Sequence, residues 1–234
     1  MRSHFLALSA LGAALVSGLG GAPAFAADAA HPTVIELFQS QGCSSCPPAN
    51  ASLIQFSGRP DVLALNFAVD YWDRLGWKDT FARPEYTQRQ YDYAHALHGS
   101  GVYTPQIVVN GRADGVGDEV SEMEALARKT DRGASGPEVR IEGGEVVIGS
   151  GSAPAHGADV WLALYDPRTV EVAVPRGENA GRTLPHKNIV HRLVLVGHWN
   201  GEAAHFALPS GEGLSRAVLV QSAGAGPILA AAKG

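Results

Sequence analysis

The sequence predicts an α/β domain followed by a small all-β domain of antiparallel, sandwich-like strands. Three observations carry this. Two apolar runs, TVIELF (33–38) and VLALNFAV (62–69), flank a helix-like segment, the βαβ pattern of parallel strands. An Asn-Gly pair at 110–111 lies between a strand-like run and a short return, which signals a hairpin. Beyond residue 138, short strand-like runs alternate with Gly and Pro turns.

The elements follow in order. TVIELF is apolar almost throughout, as a strand buried on both faces should be. The loop QSQG leads to a helix expected from about Ser44, with Leu53, Ile54 and Phe56 on one rough face and Gly58 placed to end it. Pro47 and Pro48 fit its first turn, where a backbone N–H has no intrahelical partner to lose. VLALNFAV predicts a second buried strand, DYWDRLGW an aromatic connection, and residues 84–98 a helix opened by Pro84. A strand at 106–109, the Asn-Gly turn, a return strand and a helix at 118–130 complete this half. After DRGASGP (131–137) the runs EVRIEGGEVVIGSG, ADVWLALYDP, TVEVAVPRG, HRLVLVGHWNG, EAAHFALPS and SRAVLVQSA predict strands. Only ILAAAK, near the C-terminus, has helical character. The expected organisation is a signal peptide at 1–26, an α/β domain at 27–134 and a β-rich domain at 138–234.

The signal peptide is expected because Arg2 precedes a long apolar run that ends in small residues, with Ala24-Phe25-Ala26 fitting an A-x-A cleavage site. The run is short for a membrane span, which takes about 20 apolar residues. Export to the periplasm or outside the cell follows. The net charge of -5 argues against nucleic acid and anionic membrane surfaces as partners.

Export gives the cysteines their meaning, because disulfides persist outside the cytoplasm. The chain has two, Cys43 and Cys46, in the stretch QGCSSCPP. Chance places two cysteines three apart in roughly 1% of arrangements. As a staple the pair gains little, because the loop it closes is tiny. Redox exchange or metal binding remains.

The strand, the CxxC at a helix start, the second strand and Thr104-Pro105 before a hairpin resemble the thioredoxin fold. Over ELFQSQGCSSCPPA, VDYWDRLGW, YTPQIVVNG, RGENAGR and VLVQ the chain is similar to a family of exported bacterial proteins of unknown function. That family has a thioredoxin-like N-terminal half and a β-rich C-terminal half. The resemblance implies a thiol-disulfide oxidoreductase acting on protein or small thiols, or on a redox partner protein, with no cofactor beyond a reversible disulfide. It implies Cys43 as the nucleophile at the helix N-terminus, where free N–H groups favour a thiolate. Cys46 then resolves the mixed disulfide. It implies a cis Thr104–Pro105 bond facing the pair and positioning an extended substrate. It also implies a buried carboxylate that moves the resolving thiol's proton. Glu36 is the candidate, although it stands seven residues before Cys43 where the family offset is six.

Asp70, Tyr71, Trp72 and Trp77 follow the second strand, where sites form in open α/β sheets, and are candidate substrate contacts. Packing of the same aromatics onto the core is the alternative. Two rival functions stay open. A zinc or copper site would join the cysteines to histidines among His95, His98, His186, His191 and His198. A binding module would keep the fold without catalysis. In the β-rich half, Arg176, Glu178, Asn179 and Arg182 are expected to recognise a partner or to form a solvated loop.

Overall fold

Strand β1 (Thr33–Gln39), apolar or β-forming except at Glu36 and Gln39, is buried along its whole length. It feeds helix α1 (Cys46–Phe56), with Pro47 and Pro48 in the first turn, and then strand β2 (Val62–Ala68), also fully buried. β1 and β2 pair in parallel from Thr33↔Val62 to Gln39↔Ala68, so the βαβ expectation holds. The structure is a computed structural model that describes residues 27–234, and the leader and its cleavage site lie outside the described residues. No helix among the described residues is long and apolar enough to cross a membrane.

A single 3-10 turn, Asp73–Leu75, leads to α2 (Pro84–Ala96), opened by its proline. Strands β3 (Gln106–Val109) and β4 (Ala113–Gly115) make an antiparallel hairpin through Asn110-Gly111. Both turn residues have positive φ, 50° and 61°, the conformation that selects Asn-Gly. Gly111 is further constrained, because a Cβ there would lie 2.6 Å from the Gly226 carbonyl oxygen. α3 (Val120–Lys129) closes this half.

The remaining elements are strands: β5 (Val139–Glu142), β6 (Glu145–Ile148), β7 (Ala158–Asp166), β8 (Val170–Val174), β9 (Arg182–His186), β10 (Ile189–Trp199), β11 (Ala204–Ala207), β12 (Ser215–Ser222) and β13 (Ile228–Lys233). ILAAAK is therefore strand, not helix. Its alanines pair with β12 from Ala217↔Lys233 to Gln221↔Ile228, and burial against that neighbour overrides alanine's helical preference.

The second half does not form a free-standing sandwich. One eight-stranded mixed sheet runs in the order β13-β12-β7-β10-β2-β1-β3-β4. It passes from one half to the other where β10 lies parallel to β2 at Ile189↔Asn66. A three-stranded sheet, β11-β6-β5, forms a second layer on the C-terminal part, with Val146, Ile148, Val160, Leu162, Val218 and Trp199 between the layers. β8 and β9 form a separate two-stranded hairpin.

The period of two along β1 sorts the helices onto opposite faces. Ile35 and Leu37 pack with Leu53 and Phe56 of α1 and Met123 of α3. Val34 and Phe38 pack on the other face with Tyr86 and Tyr93 of α2 and with Ala163, Val190 and Leu219 from the C-terminal half. That second cluster belongs to both halves.

Candidate functional site

The turn between β1 and α1 carries the two cysteines. Ser40 accepts from the Cys43 amide, and Cys43 accepts from the Cys46 amide at 3.2 Å, winding the chain into the helix. Cys43 and Cys46 are joined as a disulfide with Cα atoms 5.4 Å apart. No side chain caps α1, and Pro47 and Pro48 lack N–H groups, so the helix start offers few free backbone donors. Asn50, one turn after Cys46, continues a buried polar chain. Its Nδ2 donates to Gln39 Oε1, and its Oδ1 accepts from Asn66 Nδ2 at 2.8 Å.

Four of the expected site residues border this turn. The Thr104–Pro105 bond is cis. The Thr104 carbonyl accepts from Ser45 Oγ at 3.4 Å, and Thr104 Oγ1 accepts from Trp72 Nε1 at 2.8 Å. A Cβ at Gly42 would lie 3.4 Å from Trp72 Cβ, which places that indole's stem against the turn. Trp77 Nε1 donates to Gln41 Oε1 at 2.9 Å. Gln41 is held further by Asp79, whose Oδ2 accepts from the Gln41 amide at 2.7 Å. Burial lifts the Asp79 carboxyl to about 6, against the pull of the Gln41 and Phe81 amides.

Three other expected residues point elsewhere. Asp70 accepts from Thr87 Oγ1 at 2.6 Å and Tyr71 donates to Gln90 Oε1 at 3.3 Å, so both are turned to α2. Burial pushes the Tyr71 phenol up to about 12. Glu36, the proton-carrier candidate, is the third. It alternates with Leu37 along β1 and so faces α2, on the side of the sheet away from α1. There Arg89 donates to its two oxygens at 2.7 and 3.1 Å, and the Tyr93 hydroxyl donates to Oε2. Gln221 of β12 accepts from Arg89 at 3.1 Å, tying the pair to the C-terminal half.

The histidines do not gather at the cysteines. His95 is exposed on α2, His198 on β10 pairs with Asp159 at 2.8 Å, and the His186 ring is buried against Phe81. Burial holds the His186 imidazole down at about 4. Among the described residues no group of three or more His, Cys, Asp or Glu is arranged to hold a metal ion.

The loop RGENAGR, between β8 and β9, is expected from sequence to recognise a partner or to lie in solvent. Only some of it is there. Asn179 is fully buried, and its Nδ2 donates to the carbonyls of Gln41 and Cys43 at 2.9 and 2.8 Å. Arg182 donates to Asn179 Oδ1 at 2.7 Å. Exposed Glu178 accepts from the Ser44 amide at 3.1 Å and from the Ser44 hydroxyl at 2.7 Å. The Ser44 hydroxyl, and then its amide, hold the Glu178 carboxyl below the usual carboxylate range. Cys43 and Cys46 beneath these contacts are 0% and 1% exposed. A disulfide is thus present but buried. No local period marks a contact 136 residues long, so only the polar character of the loop signalled it.

No curated protein matches the chain. A solved structure of protein AGR_C_4864 from Agrobacterium tumefaciens is similar, with 34% identity over 86% of this chain and 92% of that one and a TM-score of 0.72. HBP35 of Porphyromonas gingivalis shares the fold at a TM-score of 0.59, with 12% identity over 87% of this chain and 74% of that one. Residues 34–221 match the family described as protein of unknown function (DUF1223), and the chain belongs to that family.

Proposed function

We propose that the N-terminal half is thioredoxin-like and that the protein is an exported thiol-disulfide exchange protein, periplasmic or secreted, acting on protein or small thiols. The carrying observation is the Cys43–Cys46 disulfide where β1 hands over to α1, in a chain with no other cysteine. A bond closing so short a loop does little for stability, so its use lies in exchange. Trp72, Thr104 and Pro105 border the turn and supply the flank along which an extended substrate would lie.

The exchange balances within the sulfur atoms. A substrate thiolate attacks Cys43 Sγ, the Cys43–Cys46 bond breaks, and Cys46 leaves as a thiolate that takes a proton. A second substrate thiolate attacks the substrate sulfur of the mixed disulfide and frees Cys43. Two electrons pass from the substrate dithiol to the cysteine pair, and the reverse sequence reduces a substrate disulfide.

The test is equilibration of the full chain against glutathione buffers, read by mass after alkylation. A reversible pair with a potential between about -270 and -120 mV is expected, and Cys46→Ser should trap mixed disulfides on Cys43. A potential below about -300 mV makes the disulfide inert and ends this reading.

A further inference from the structure

The cysteine turn lies in the N-terminal half, but two of the groups that cover it come from the C-terminal half. Glu178 and Asn179 sit at the tip of the β8–β9 hairpin, which belongs to neither of the other sheets. Their contacts divide by chemistry. Asn179 binds two backbone carbonyls, of Gln41 and Cys43, with a fully buried amide whose oxygen is taken by Arg182. Glu178 places a carboxylate on the amide and hydroxyl of Ser44, the residue next to Cys43.

We infer that Glu178 is a positioning residue that sets the redox poise of the Cys43–Cys46 pair, and that Asn179 latches the hairpin over it so that exchange requires the hairpin to lift. This rests on the thiol-exchange reading above.

The argument is one of charge and of donors. The disulfide is neutral, whereas the open pair carries a thiolate at Cys43. A thiolate at a helix start is stabilised by nearby N–H groups and the helix dipole. Here two first-turn positions are proline, the Cys46 amide is spent on the Cys43 carbonyl, and the Ser44 amide is spent on Glu178, which leaves the Ser45 hydroxyl, 3.3 Å from Cys43 Sγ and shared with the Thr104 carbonyl, as the side-chain donor at the sulfur. The environment that makes a CxxC strongly oxidising is thereby reduced twice: a donor is occupied, and a negative charge is bonded to the residue next to Cys43. Glu178 therefore favours the closed disulfide. An incoming substrate oxygen takes over the Ser44 amide and hydroxyl as the hairpin lifts, which couples substrate docking to release of the thiolate from its neighbouring charge.

Glu178→Gln keeps the shape and removes the charge. Against glutathione its pair should shift toward the reduced form by roughly three- to tenfold, tenfold being about 30 mV for two electrons. The pH midpoint of Cys43 alkylation in the reduced protein should fall with it. Glu178→Asp retains the charge and should stay near the wild type. Asn179→Ala should instead speed reduction of the disulfide by dithiothreitol at least severalfold, reporting the latch. Should Glu178→Gln fold poorly, the wild-type alkylation midpoint in low and high salt carries the same test, because screening must lower it. A reducible wild-type pair whose potential and alkylation profile are unmoved by Glu178→Gln, or whose midpoint ignores salt, overturns the inference. A wild-type pair that cannot be reduced in the folded protein overturns the exchange reading itself.

Discussion

Replacing Arg89 by Met removes the cation facing Glu36 while keeping most of the side-chain length. Glu36 is 0% exposed and Arg89 5%, so the carboxylate is poorly placed for water to replace the lost guanidinium. Among the described residues the Tyr93 hydroxyl would remain its partner. Breaking a buried pair from one side costs about 3–5 kcal/mol, because the remaining charge is left uncompensated. In a chain of this size 1 kcal/mol moves the melting temperature by about 2–4 °C, so Arg89→Met should lower it by roughly 6–20 °C. Urea and thermal unfolding measure this. Adding Glu36→Gln to Arg89→Met should recover part of the loss, since a neutral amide is easier to bury. Thiol alkylation should be unchanged in every variant that folds, because Glu36 faces away from α1. An Arg89→Met variant within about 1 kcal/mol of wild type refutes the argument. So does a Glu36→Gln variant that folds normally but slows the reaction of Cys46.

Two further outcomes are expected. Burial lifts the Asp79 carboxyl to about 6 and depresses the His186 imidazole to about 4, so their pH effects oppose each other. The Asp79 contribution is full at low pH and lost as pH rises through about 6; that of His186 is full above about 6.5 and lost as pH falls toward 4. Between pH 4 and 6, Asp79→Asn should uncover a stability that rises with pH and His186→Phe one that falls, each by about 1.4 kcal/mol per unit; flat urea profiles for both variants exclude the pairing. A fragment of residues 27–134 should stay unfolded by circular dichroism, because β2 loses β10 and Arg89 loses Gln221. A folded fragment that keeps thiol reactivity shows that the halves do not share a core.

The local elements of the first half were legible because their signals are local. The β1-α1-β2 unit, the Asn-Gly hairpin and the proline-opened α2 all carry their own turn and period signatures. What escaped was pairing at long range. Nothing near Ile189 says that β10 will lie parallel to β2, and nothing in the alanines of β13 outweighs their helical preference until β12 is beside them. The site divides in the same way. Trp72, Thr104 and the cysteines are placed by motif and strand order. Glu36 was placed by offset alone, and parity turns it to the other face: one residue along a strand changes the side it occupies. Asn179 was hidden because a buried amide and a solvated one look alike in sequence.

The distance along the chain between the cysteines and their cover has a consequence for synthesis. The Cys43 carbonyl is bonded by an amide 136 residues later. At about 5–20 residues per second, that interval lasts about 7–27 s. During it the cysteine turn exists on a nascent chain with no hairpin to bond. The order of translation therefore gives the cysteine turn a youth without the bond that the finished protein makes.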